Sequence, residues 1–154
     1  MKRIILLLLI ITISCNKTTK NSTVDFTTKF EKSEGLETTT YAETIAYFKQ
    51  LATEFPEISI QEVGETDSGK PLHLVIFNSD KAFDFKKIKE SSKNVILINN
   101  AIHPGESDGV DASMLLLRDI VQDKNKVDEL ENIILAVIPI YNVGGALNRN
   151  SYSR

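Results

Sequence analysis

One cysteine, no tryptophan and two histidines are what this 154-residue sequence has least of. A lone thiol cannot form an internal disulfide, so stability has to come from a packed core. Basic blocks are missing too. With a formal net charge of -3, the chain lacks the electrostatic footprint of a nucleic-acid binder. The apolar and charged fractions are ordinary, which excludes a disordered or fibrous chain, and the length suits one domain. Only His73 and His103 carry imidazoles, so each has to be weighed individually.

One apolar run stands out. Met1-Lys2-Arg3 precedes Ile4 to Ile13, nearly all branched aliphatic. That run is about half the roughly 20 residues of a membrane-spanning helix, so residues 1–14 read as a signal peptide. Thr12-Ile13-Ser14-Cys15 resembles a bacterial lipobox, with Thr12 where Leu is usual. The resemblance implies a lipidated Cys15 as the mature N-terminus, held to a membrane of the cell envelope on its periplasmic or extracellular side. An ordinary signal peptide with an incidental cysteine is the alternative. Residues 15–39 then form the lipidated cysteine and tether, most flexible over 16–24, with Val24, Phe26 and Phe30 positioned to begin docking.

From residue 40 the pattern becomes globular. Thr40 and Glu43 form a capping box, Ile45, Phe48, Leu51 and Ala52 recur at helical spacing, and Pro56 closes a helix over 41–54. Ile58 to Val63 and Leu72 to Phe77 read as strands joined at Asp67-Ser68-Gly69-Lys70, a hairpin. Lys81 to Glu90 reads as loop with a short helical piece. Val95 to Ile98 is apolar without alternation, which predicts a strand buried on both faces at the centre of the sheet. Asp108 to Gln122 is helical, and Ile133 to Ile140 is a second apolar strand. This order predicts an α/β/α sandwich on a mixed sheet.

Between the third strand and its helix lies Asn99-Asn100-Ala101-Ile102-His103-Pro104-Gly105-Glu106. Sites in open α/β sheets form beyond the carboxyl ends of strands. There, a tight Pro-Gly turn can aim an imidazole and a carboxylate at one metal ion. Asp108 is near enough to steady a ligand. A plain polar loop, with Glu106 favouring the helix N-terminus, is the competing reading.

Four features in order over residues 40–145 resemble the zinc carboxypeptidases of the M14 type. They are the opening helix with Pro56; the hairpin Gly64-Glu65-Thr66-Asp67-Ser68-Gly69-Lys70-Pro71-Leu72; the His103–Glu106 motif; and Pro139-Ile140-Tyr141-Asn142-Val143-Gly144-Gly145. Thr66 replaces a usual Ser, and Val143-Gly144 a usual Pro-Asp. The resemblance implies Zn2+ held by His103 and Glu106, a peptide substrate cut at its C-terminal bond, and Arg154 at the oxyanion. Asn148-Arg149 resembles the family's carboxylate-binding pair but follows the fourth strand too closely to be it.

The family's third zinc ligand and general base come later than Arg154, and His73 lies on a strand. The expectation is therefore an incomplete domain over residues 40–154, inactive by itself, with Ile133 to Ile138 as an apolar unpaired edge. A related zinc amidase or deacylase, or a non-catalytic envelope lipoprotein acting as a binding module, are the other functions this sequence allows.

Overall fold

Thr40 starts the long helix in the expected way. Its hydroxyl accepts from the Glu43 amide, while the Glu43 carboxylate accepts from the Thr40 amide at 2.7 Å. In the computed structural model, which describes residues 24–150 and 152, this helix is α2, Tyr41–Glu54. A four-residue α1, Lys29–Lys32, precedes it. There follow β1 (Ile58–Glu65), β2 (Pro71–Phe77), α3 (Phe85–Glu90), β3 (Asn94–Asn99), α4 (Asp108–Val121), α5 (Lys124–Glu129), β4 (Ile133–Ile138) and α6 (Val143–Leu147). None of the described helices is long and apolar enough to cross a membrane.

The sheet order is β1-β2-β4-β3. β1 pairs antiparallel with β2, with a register shift between Glu62 and Gly64, and β2 pairs antiparallel with β4. β3 and β4 are parallel and joined through α4, a crossover unit. The architecture is thus α/β on a mixed sheet. The fourth strand ends at Ile138 rather than Ile140, because Pro139 has no amide to continue the ladder.

Val75 and Phe77 of β2 and Leu135 and Val137 of β4 share one face with Ile58 and Ile60. Phe48 and Leu51 of α2 and Val110, Met114 and Leu117 of α4 cover that face and are fully buried. Each such side chain contributes about 1.5–3 kcal/mol. Ser59 and Gln61 point to the opposite face, where Gln61 Nε2 donates to the Phe83 carbonyl and so brings the segment leading into α3 beneath β1.

Two expectations about the sheet need correction. β3 is an edge strand rather than the centre: Val95 and Leu97 are 52% and 60% exposed, and Ile96 is exposed on the other face. Conversely, β4 lies between β2 and β3, so among the described residues the apolar edge is Asn94–Asn99, opposite the edge formed by β1, and not Ile133–Ile138. An apolar run reports that a strand is suited to burial; it carries no information about which strands flank it.

The amino-terminal stretch is more structured than a tether. Phe26 is buried, its ring 5.8 Å from that of Tyr47 and 5.7 Å from that of Phe55. Thr28 and Glu31 form a second capping box around α1. Arg118 of α4 donates to Glu31 at 2.6 Å and to the Phe26 carbonyl at 3.2 Å. The hydroxyls of Thr38 and Thr39 donate to the buried carboxylate of Asp111. Within the span 15–39, the part from Val24 onward therefore packs on the domain. Residues 1–14, Cys15 and Arg154 lie outside the described residues.

Candidate metal centre

The strand directions decide where the motifs meet. Because β3 and β4 are parallel and β2 opposes β4, the carboxyl ends of β3 and β4 and the turn between β1 and β2 share one end of the sheet. The loop after β3 is tied to the loop after β4 by the Tyr141 amide donating to the Asn100 carbonyl at 2.9 Å and the Asn142 amide to the Ala101 carbonyl at 3.1 Å. A Cβ on Gly145 would stand 2.7 Å from Pro104 Cγ, and one on Gly144 would stand 3.3 Å from Asp67 Oδ1 of the hairpin turn. All three loop motifs are in contact. The family pattern has Asp where Gly144 stands; here that side chain would meet Asp67.

Below the loop, Asn100 is buried, and its Nδ2 donates to Ser113 Oγ of α4 at 2.8 Å. Its Oδ1 occupies the space a side chain on Gly109 would need, since a Cβ there would come within 2.5 Å. Ala101, with φ of 49°, turns the chain through the left-handed region that a non-glycine residue rarely adopts. The chain then leaves the sheet and rises into the His-Pro-Gly-Glu turn, closed by the Glu106 amide donating to the His103 carbonyl at 3.1 Å.

His103 Nδ1 lies 3.0 Å from Glu106 Oε2, and the two side chains are 52% and 58% exposed. The pair therefore converges on one point that solvent reaches. Two donors bound to a tetrahedral zinc at about 2.0–2.2 Å lie about 3.4 Å apart. The separation of the pair is therefore within a few tenths of an ångström of that value, with Nδ1 the imidazole nitrogen nearer the carboxylate. The donor set, one imidazole nitrogen and one carboxylate oxygen, is of a kind that suits zinc. Among the described residues no group of three potential ligands converges.

The other residues singled out by sequence take structural places. His73 is buried in β2, with Nδ1 3.3 Å from the Tyr41 hydroxyl and Nε2 3.7 Å from Glu62. It belongs to the hairpin and does not join His103. Asp108 is the first residue of α4. Asn148 turns back to donate to the Gly144 carbonyl, and the Arg149 amide donates to Ala146, so this pair finishes α6. Sequence reasoning overlooked Asn100, Ala101 and Asn142. The one signal available was the Asn-Asn-Ala spacing just beyond a strand, which reads as loop whether or not it supports a site.

The family model for zinc carboxypeptidases of the M14 type matches residues 44–152. This chain belongs to that family. No curated protein matches it. Among solved structures, carboxypeptidase A from Helicoverpa armigera aligns at 22% identity and a TM-score of 0.60, covering 71% of this chain and 26% of its own. A metallo-carboxypeptidase from Burkholderia cenocepacia aligns at 20% identity and a TM-score of 0.55, covering 69% of this chain and 28% of its own. Thrombin activatable fibrinolysis inhibitor aligns at 15% identity and a TM-score of 0.57, covering 83% of this chain and 31% of its own. These likenesses establish the fold. This M14 chain spans roughly a quarter to a third of the length of the structures it matches.

Proposed function

We propose that this chain carries the His103–Glu106 half of a zinc metallocarboxypeptidase centre that removes C-terminal residues from peptides. The observation that carries the reading is the 3.0 Å approach of His103 Nδ1 to Glu106 Oε2 at the carboxyl end of β3, in a solvent-reached turn. When bound, zinc supplies Lewis-acid polarisation of a carbonyl and acidifies water. The residues of this chain do the holding. His103 and Glu106 donate, the Glu106 amide closes the turn, and Asn100 and Ser113 anchor its base on α4. A third ligand has to come from outside the described residues.

On this reading the two donors alone bind zinc orders of magnitude more weakly than a three-ligand site, and without a third ligand they support no peptide turnover. Arg154 is assigned to the oxyanion by family resemblance. Cys15 is assigned as a lipidated first residue in the bacterial envelope; mass spectrometry of the mature N-terminus tests this, and an unmodified N-terminus elsewhere would remove it.

The central test titrates zinc into the full chain and into its His103→Ala and Glu106→Gln variants, then assays a C-terminal peptide substrate. Weak one-to-one binding, lost in both variants, with no turnover, is the expected result. Binding that survives both substitutions removes the metal assignment. Zinc-dependent turnover abolished by Glu106→Gln would show that the site is complete and the inactivity reading wrong.

A further inference from the structure

The ligand turn is not self-supporting. His103 and Glu106 are both exposed, and among the described residues the hydrogen bonds inside the turn are their own pair and the Glu106 amide to the His103 carbonyl. Its geometry has to be imposed from outside, and the outside contact on its far side is the loop after β4. At the start of that loop, Asn142 spans both partners with one side chain. Its Oδ1 accepts from the Gly145 amide at 2.9 Å, capping α6, and its Nδ2 donates to the Ile102 carbonyl at 3.4 Å. Ile102 is the residue immediately before His103. The Asn142 backbone amide meanwhile donates to the Ala101 carbonyl, at the residue with φ of 49°.

Gly145 completes the bracket. The Pro104 ring occupies the place of its missing side chain, since a Cβ would stand 2.7 Å from Pro104 Cγ and 2.8 Å from Asn142 Oδ1. The α6 amide that Asn142 caps thus belongs to the residue against which the ligand turn rests. A side-chain amide suits this task because it accepts at one end and donates at the other. A hydroxyl in its place still accepts from the cap position but cannot reach the carbonyl.

We propose that Asn142 and Gly145 are positioning residues for the zinc ligands: Asn142 fixes the backbone entering His103, and Gly145 seats Pro104 between the two ligands. The inference rests on the reading of His103 and Glu106 as a metal pair, but its geometric content can be measured without metal. Outer partners of this kind typically change metal affinity by about 10- to 100-fold.

The experiment uses the full chain, its Asn142→Ser variant, which keeps a good helix-capping oxygen, and Gly145→Ala. Three quantities are read: melting temperature, zinc dissociation constant, and, without zinc, the heteronuclear NOE of the amides from Ile102 to Glu106 together with the Pro104–Gly145 proton contact. The expected result for Asn142→Ser is an unchanged melting temperature, lower NOE values across the turn, and zinc binding weakened about 10-fold. Gly145→Ala should lose the Pro104–Gly145 contact and weaken zinc at least as much. A turn as rigid in both variants as in the parent overturns the proposal, whatever zinc does. Failure of the parent to bind zinc, with the turn loosened in the variants, would instead remove the metal reading and leave the positioning role standing. If Asn142→Ser lowers the melting temperature as much as it weakens zinc, its role is general support and the proposal falls.

Discussion

His73 and His103 sit in two regions of one sheet that treat the same side chain in opposite ways. At the hairpin, His73 is 4% exposed, with the Tyr41 hydroxyl against Nδ1 and a buried Nε2 that has no hydrogen-bond partner. Tyr41 donates to the Pro71 carbonyl at 2.9 Å, and Nε2 of His73 lies 3.7 Å from Glu62 Oε1. Burial holds the His73 pKa below its ordinary value, and Glu62 only partly offsets this. At the far end of β3, His103 is half exposed and points its Nδ1 at a carboxylate with room around it. The imidazole sealed against Tyr41 serves the fold; the one held on a turn beside an open carboxylate is left accessible. Residue type alone does not separate the two.

Truncating each histidine separates the two environments most directly. His73→Ala opens a cavity in the hairpin and strips Tyr41 of a partner; the expected loss is about 2–4 kcal/mol of stability by urea denaturation. A loss under about 0.5 kcal/mol would place His73 with the surface side chains. Next in size is the strap. Arg118→Met removes charge-assisted bonds to Glu31 and to the Phe26 carbonyl, and should cost about 1–3 kcal/mol, with residues 24–32 becoming sensitive to protease before the rest.

Acid sharpens the contrast further. The native state disfavours the proton on His73, so the unfolded chain takes it up first, and stability falls as pH drops below about 6.5. Glu31, held below the usual carboxylate range chiefly by Arg118, adds a second loss at lower pH, through the carboxylate range. His73→Phe should flatten the first limb and leave the second, which a melting-temperature series from pH 7 down to about pH 2.5 resolves. The smallest effect is at the other histidine. His103→Ala should change stability by less than about 0.5 kcal/mol while removing zinc binding. In the same range, Ile96→Lys on the β3 edge should leave stability nearly unchanged yet slow aggregation, read by light scattering.

Local chemistry was legible in the sequence wherever a local rule determines it. The Thr40–Glu43 capping box, the end of α2 ahead of Pro56 and the hairpin around Ser68-Gly69 follow from side chains within a few residues of one another. The His103–Glu106 pair was legible for the same reason, being three residues apart on a turn. What was hidden depends on partners distant in sequence. Val95 to Ile98 read as central because the run is apolar, but the insertion of β4 beside β2 sets its place. The strap from Val24 to Thr39 looked like tether because its anchors, Arg118 and Asp111, lie on α4. Asn142 looked like a turn residue because the carbonyl it reaches, that of Ile102, belongs to another strand's loop.

The insertion of β4 between β2 and β3 also orders events in time. As the chain is synthesised, α2 and the hairpin can pair as soon as they emerge, since their contacts are near neighbours in sequence. β3 cannot. Its parallel partner and the amides of Tyr141 and Asn142 that grip Asn100 and Ala101 are made only after α4 and α5. At translation rates of about 5–20 residues per second, His103 and Glu106 spend a few seconds on a loose loop behind an uncovered apolar strand. The His103–Glu106 pair is thus among the last features of the sheet to be set, and a chaperone that shields β3 during that interval would protect the turn that carries it.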